Sequence, residues 1–147
     1  MTIEPFVGQV GRGPRLPWLG DAQIEVLLPA TASAGRQSVV AIFAGRGYSA
    51  TEHVHSREDE TFYVVTGAIT VWVDGRPSEL GPGGLALLPK GLPHRYRVDA
   101  DDTQILNVCN PGGLDGFFRD VAAMLDADDL AALVPRTGER YGVTYVG

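Results

Sequence analysis

The three histidines of the chain are spaced so that all of them can contribute to one site. His53 and His55 are separated by a single residue, and His94 opens a short alternating segment further along. Residues i and i+2 of a β-strand point to the same face, so the imidazoles of His53 and His55 can converge. Glu60 follows at the foot of the next apolar segment, and a hairpin returns its carboxylate to the same place. Three imidazoles and one carboxylate predict a site for a divalent first-row metal.

The same residues are also compatible with an ordinary polar surface. Histidine pairs on strands are often half-buried polar residues that bind nothing. Glu60 belongs to the acidic run Glu58-Asp59-Glu60, which is typical of a solvated segment. Taken residue by residue, the pattern therefore leaves both interpretations open.

The elements that position these side chains are short strands separated by turns. β-Branched and alternating segments predict strands at residues 38–43, 51–55, 61–65, 69–73, 85–88, 94–98 and 104–109. Asp74-Gly75 after the fourth of these segments predicts a tight hairpin, because a type I′ turn needs positive φ at both central residues. The even spacing, without alternation of strands and helices, indicates an antiparallel sandwich or barrel.

The two ends of the sequence differ from this central part. Residues 1–35 are rich in glycine and proline, and they predict a loose arm with one or two short strands. After Gly113, apolar residues at helical spacing predict a helix from Leu114 to Leu125, and Asp126 to Val134 predicts a second helix stopped by Pro135. Tyr141 to Val146 can add an edge strand. We expect one domain over 1–147, with an arm at 1–35, a barrel at 36–110, and helices and a tail at 111–147.

Glycines frame the candidate ligands in two ordered motifs. The first motif reads Gly47, five residues, His53-Val54-His55, four residues, Glu60, six residues, Gly67. The second motif reads Gly83, five residues, Pro89-Lys90-Gly91, two residues, His94. With this framing the sequence resembles the cupin superfamily, and every fixed position matches except the last, where Val98 stands in place of asparagine. That position is not a ligand in the family.

The resemblance implies an all-β fold, the cupin double-stranded β-helix, which is a small antiparallel barrel, here with one or two C-terminal helices. It also implies that the metal lies in the mouth of the barrel, held by His53, His55, Glu60 and His94. Residues 110–118 and the tail at 141–143 look like the corresponding segments of small quercetin 2,3-dioxygenase-like cupins. We therefore expect a metal-dependent dioxygenase that acts on a phenolic or enolisable small molecule together with O2.

Two other functions stay open on the same site. One is a non-redox isomerase, cyclase or decarboxylase that uses the metal as a Lewis acid. The other is a non-catalytic module that binds a small molecule. The metal is iron, nickel, manganese, cobalt or zinc, because the ligand types do not distinguish among them.

Individual residues carry further expectations. Glu60 is the only ligand that can also accept a proton, so we expect it to be the catalytic base. Phe62 shares a strand face with Glu60, and Tyr96 shares one with His94, so both are candidate substrate contacts or core aromatics. Cys109 is expected to be a small buried hydrophobe.

Composition excludes several other classes. The formal net charge is −6 and there is only one lysine, Lys90, which disfavours nucleic acid and anionic membranes as partners. The single cysteine excludes an internal disulfide. No apolar run is long enough to span a membrane, and no signal peptide is visible at the start. We expect a cytoplasmic protein and, given the cupin resemblance, a homodimer.

Overall fold

The computed structural model describes residues 3–146. Residues 1, 2 and 147, the outermost parts of the predicted arm and tail, lie outside the described residues. The strands form two antiparallel sheets. The first sheet has the spatial order β1 (Arg15–Pro17), β2 (Gln23–Leu28), β3 (Ser38–Ala44), β10 (Thr103–Asn110), β5 (Asp59–Thr66), β8 (Leu85–Leu88). The second has the order β11 (Val143–Tyr145), β4 (Ser49–His55), β9 (His94–Val98), β6 (Ile69–Val73), β7 (Arg76–Leu80).

Helices complete the chain after the strands of the barrel. Helix α1 spans Leu114–Ala122 and helix α2 spans Leu130–Arg140, while Leu19–Asp21 and Ala30–Ser33 form short 3-10 turns. Helix α1 packs against β1 and β3, and α2 packs against β11. This confirms the all-β architecture with C-terminal helices that the sequence resemblance implied.

Side chains alternate between the inner and outer faces along each strand, and those on the inner face form the core. Inward positions of β5 bury Phe62 and Val64, and those of β10 bury Ile105. Apolar side chains from both sheets form one core cluster, and its burial is the main favourable contribution to folding. The same alternation also buries Glu60 and Asn107, two polar side chains on the inner face.

The predicted hairpin is confirmed, and it produces a strand that the sequence did not predict. Asp74 and Gly75 have φ of 50° and 79°, as a type I′ turn requires. The turn pairs β6 with β7, the exposed segment Arg76–Leu80. Because this edge strand contains Pro77 and lacks a buried face, its residues carry no strand pattern of their own.

The short strands predicted within residues 1–35 are present as β1 and β2, but the arm that carries them is not loose. Strands β1 and β2 extend the first sheet, and Ile24 is fully buried. Trp18 packs edge-to-face on Phe118 at 5.0 Å and on Phe117 at 5.8 Å between ring centroids. The N-terminal segment is therefore held against helix α1.

Both helix boundaries differ from the prediction. Helix α1 ends at Ala122, and Leu125 is partly buried in the turn that follows. The predicted second helix is present, but its predicted bounds, Asp126–Val134, are wrong, because α2 begins at Leu130 and continues through Pro135 to Arg140. Proline normally disrupts a helix interior. Here the burial of Val134, Thr137 and Gly138 on one face of α2 favours continuation beyond it.

The aromatic contact between α1 and the barrel makes a prediction about stability. Phe117 and Phe118 are only 3% and 7% exposed. We expect Phe117→Ala and Phe118→Ala each to lower the free energy of unfolding by about 3–5 kcal/mol. Phe6, which is 50% exposed, is the matched control, and Phe6→Ala is expected to have little effect. Chemical denaturation measures this; unchanged stability in both α1 variants would show that the helix is not docked.

A second prediction concerns the turn that joins β5 to β6. Gly67 has φ of +82°, and a Cβ there would lie 2.0 Å from Thr103 Oγ1 and 2.7 Å from Thr103 Cα. Gly75 has a similar φ but open space around it. We expect Gly75→Ala to cost about 1–2 kcal/mol, which is the penalty for left-handed backbone alone, and Gly67→Ala to cost clearly more. Equal unfolding free energies for the two variants would contradict the close packing of this turn on Thr103.

Candidate metal centre

The fold brings the four predicted ligands together. His53 and His55 lie on β4, His94 lies opposite His53 on the paired strand β9, and Glu60 reaches them from β5 in the other sheet. Each residue offers one ligand atom, and these atoms lie within 4.8 Å of one another. Glu60 Oε2 is 3.1 Å from His55 Nε2 and 3.0 Å from His94 Nε2. The alternative of a solvated surface is therefore wrong for this cluster.

Burial leaves the ligand atoms without hydrogen-bond partners. His55, Glu60 and His94 are only 2–3% exposed. Despite the short distances, His55 Nε2, Glu60 Oε2 and His94 Nε2 form no aligned hydrogen bond with any described residue. Unpartnered buried polar atoms are costly. One cation placed among them satisfies all of them at once, so the residues fit a divalent metal.

Three of the four predicted ligands form a hydrogen bond on the side away from the cluster. His53 Nδ1 donates to the Thr51 carbonyl at 2.6 Å, and His55 Nδ1 donates to Glu58 Oε1 at 2.9 Å. In a neutral imidazole these bonds leave the lone pair on Nε2. Glu60 Oε1 accepts from Asn107 Nδ2 at 3.0 Å, which leaves Oε2 facing the histidines.

The protonation states follow from burial and from the neighbouring charges. Burial, together with His94 and His55, lowers the pKa of His53 to about 4, so its imidazole is neutral at neutral pH. Burial alone would lower the pKa of His55, but the carboxylates of Glu58 and Glu60 raise it. Burial opposes ionisation of Glu60, yet the neighbouring imidazoles of His94, His55 and His53 lower its pKa to about 2.

The residues of the acidic run Glu58-Asp59-Glu60 have different environments in the structure. Glu58 turns inward to His55 and is 4% exposed, whereas Asp59 is exposed and accepts from the Lys90 backbone N–H at 2.9 Å. Sequence analysis missed the contact of Glu58, because three adjacent acidic residues look alike. It also missed Asn107, although a polar residue at an inward position of β10 was a detectable signal.

Cys109 is buried on β10, as expected, and its Sγ lies 3.4 Å from Asn107 Oδ1. The only cysteine of the chain therefore contacts the amide that holds Glu60.

A cavity of about 640 Å³ adjoins the ligand cluster. Phe62 and Tyr96, the candidate substrate contacts, both line it and pack edge-to-face at 5.2 Å between ring centroids. The other aromatic lining residues are Trp18, Tyr48, Phe117, Phe118 and Tyr145. No lysine or arginine is among the described residues that line this cavity.

A hydroxyl group is held in place on the cavity wall. Trp18 Nε1 donates to the Tyr48 hydroxyl at 3.1 Å. Burial raises the pKa of Tyr48 and, more strongly, that of Tyr96, so both phenols remain protonated. Trp18 and Tyr48 were not predicted as cavity residues because neither lies on a predicted strand beside a candidate ligand.

None of the helices in the described range 3–146 has the length and apolarity to cross a membrane.

Comparisons with known proteins agree with this geometry. The cupin domain family matches residues 39–109. Quercetin 2,3-dioxygenase of Bacillus subtilis is 33% identical over 115 residues, which is 78% of this chain and 34% of that enzyme. The match therefore spans about a third of the length of the curated relative.

Solved structures share the fold at low sequence identity. KdgF from Halomonas sp. has a TM-score of 0.70 at 21% identity, covering 77% of this chain and 99% of that chain. The nucleoside dehydratase Pac13 has a TM-score of 0.60 at 17% identity, covering 77% of this chain and 88% of that chain. These structures show the shared fold alone, whereas the matched domain and the Bacillus relative identify this chain as a member of the cupin superfamily.

Proposed function

We propose that His53, His55, Glu60 and His94 bind one divalent metal, and that the protein is a metal-dependent dioxygenase for an uncharged phenolic or enolisable small molecule. The observation that carries this proposal is the convergence of unpartnered ligand atoms beside an aromatic cavity. The identity to a quercetin 2,3-dioxygenase supports oxygen chemistry.

The properties of the cavity favour an uncharged substrate. A carboxylate or phosphate substrate needs a cationic partner once it leaves water. The cavity lining in residues 3–146 offers no lysine or arginine. Its volume of about 640 Å³ and its aromatic walls suit a flat aromatic molecule of drug-like size.

Each residue has a distinct role in the proposed reaction. A divalent metal at this site supplies a Lewis acid that makes a phenol or enol oxygen more acidic. The Glu60 carboxylate, the only one of the four groups that is a carboxylate, accepts the released proton. The imidazoles that lower the pKa of Glu60 keep its carboxylate ionised before the proton arrives. Phe62 and Tyr96 contact the substrate ring and exclude water from it.

A second candidate is a non-redox reaction, such as a dehydration or isomerisation, on the same metal. The hydroxyl groups of Tyr48 and Tyr96 favour it, because protonated phenols that line the same cavity as the ligands can donate a hydrogen bond to a leaving group or an enolate. The fold shared with a nucleoside dehydratase is compatible with it.

On the family likeness we also propose that the protein is a cytoplasmic homodimer.

Oxygen consumption distinguishes the candidate functions. The purified protein is stripped of metal and reloaded separately with iron, nickel, manganese, cobalt and zinc. Each form is then incubated with quercetin and with simple phenols and enols. We expect oxygen uptake and substrate loss together with at least one of the redox-active metals. Conversion without oxygen uptake would favour the non-redox candidate, and binding without conversion would favour a binding module.

The proposed role of Glu60 makes a specific prediction. Glu60→Gln keeps the size and one weak oxygen ligand but does not accept a proton at neutral pH. We expect it to retain much of its metal and to lose about 10²–10⁴-fold in turnover. His55→Ala deletes a nitrogen ligand and is expected to lose both metal and activity. Metal content measured beside turnover checks this, and near-normal turnover of metal-loaded Glu60→Gln would show that the proton goes elsewhere.

A further inference from the structure

Glu58 and Asn107 are two buried polar side chains that contact the proposed ligands on the side away from the cluster. We propose that both are positioning residues for the metal: Glu58 fixes the tautomer of His55, and Asn107 fixes the orientation of the Glu60 carboxylate. The inference rests on the metal centre of the proposed function but not on the reaction that occurs there.

The contact of Glu58 determines which nitrogen of His55 is available. The carboxylate oxygen Oε1 only accepts, so His55 Nδ1 must carry the hydrogen of this 2.9 Å bond. The lone pair is then on Nε2, which faces Glu60 Oε2 and the other imidazoles. An acceptor behind a ligating histidine also increases the basicity of the ligand. Glu58 therefore prepares His55 before any metal arrives.

The segment that carries Glu58 is itself held in place. It connects β4, which ends at His55, to β5, which begins at Asp59. The Ser56 N–H donates to the Gly142 carbonyl at 2.9 Å, and the Gly91 N–H donates to the His55 carbonyl at 2.8 Å. Glu58 is therefore presented to His55 by an anchored connection rather than by a free loop.

Asn107 performs the equivalent task for the carboxylate. Its Nδ2 donates to Glu60 Oε1 at 3.0 Å, so a single oxygen, Oε2, is directed at the histidines. Cys109 Sγ donates to Asn107 Oδ1 at 3.4 Å, which turns the amide so that its nitrogen faces Glu60. A carboxylate held in this way binds a metal through one oxygen, which leaves space for substrate beside it.

Glu58 and Asn107 are the side chains that hydrogen-bond a candidate ligand on the side away from the cluster. The Thr51 carbonyl behind His53 belongs to the backbone, and His94 Nδ1 has no hydrogen-bond partner in the described part of the chain. Glu58 and Asn107 are therefore the side chains through which substitution changes the orientation of a ligand without removing it.

The test is metal binding without substrate. Zn²⁺ affinity is measured by competition with a chelator, and the visible absorption of the Co²⁺ form reports ligand geometry. We expect Glu58→Ala and Asn107→Ala each to weaken Zn²⁺ binding by about 10–100-fold and to change the Co²⁺ spectrum. Glu58→Gln, whose amide oxygen still accepts, is expected to bind more tightly than Glu58→Ala. Glu79→Gln, which changes an exposed carboxylate on β7, is the control and is expected to match the wild type.

Further variants and readouts keep the proposal falsifiable. Unfolding curves of the metal-free variants show whether each one folds. If Glu58→Ala does not fold, Glu58→Asp replaces it. The aspartate side chain is one methylene too short to keep the hydrogen bond to His55 Nδ1. We therefore expect the Glu58→Asp protein to bind Zn²⁺ as weakly as Glu58→Ala was expected to. Wild-type affinity and an unchanged Co²⁺ spectrum in the folded Asn107→Ala and Glu58 variants would overturn the proposal. A wild-type protein that binds neither metal would overturn the metal centre as well, whereas lack of oxygen uptake affects only the proposed dioxygenase.

Discussion

The arrangement of the candidate metal centre depends on one electrostatic constraint: an ionised carboxylate from one sheet faces three imidazoles from the other inside the barrel. A buried charge is tolerated only when it is paired and hydrogen-bonded. Asn107 hydrogen-bonds one oxygen of Glu60, and the imidazoles of His55 and His94 lie 3.1 and 3.0 Å from the other oxygen, where a cation can complete the pairing. The two sheets must therefore keep the separation and register that bring these groups together.

The surrounding elements help to fix the separation of the two sheets. The tail strand β11 pairs with β4, placing Val143 beside His55 and Tyr145 beside His53. The turn at Gly67 packs on Thr103 and thereby joins the start of β6 to β10. Trp18 joins the N-terminal segment to helix α1 across the cavity wall. The same contacts that stabilise the barrel thus shape the cavity in front of the ligands.

Sequence reasoning succeeded where the pattern is local and failed where the deciding contact is remote. The convergence of the four side chains was predictable because one-residue spacing on a strand and the glycine framing both act over short distances. Helix α2 was placed incorrectly because its continuation past Pro135 depends on packing against β11. Tyr48 was missed because its role arises from Trp18, thirty residues away in sequence. Which member of the acidic run faces inward likewise follows from the anchored connection between β4 and β5.

The central claim is that four side chains share one metal through defined atoms. Anomalous diffraction from a crystal grown with a divalent first-row metal measures this directly. We expect a single strong peak at roughly 2.0–2.2 Å from the Nε2 atoms of His53, His55 and His94 and from Oε2 of Glu60. A peak bonded instead through Nδ1 of His55, or no peak at this cluster in a crystal of metal-loaded protein, would contradict it.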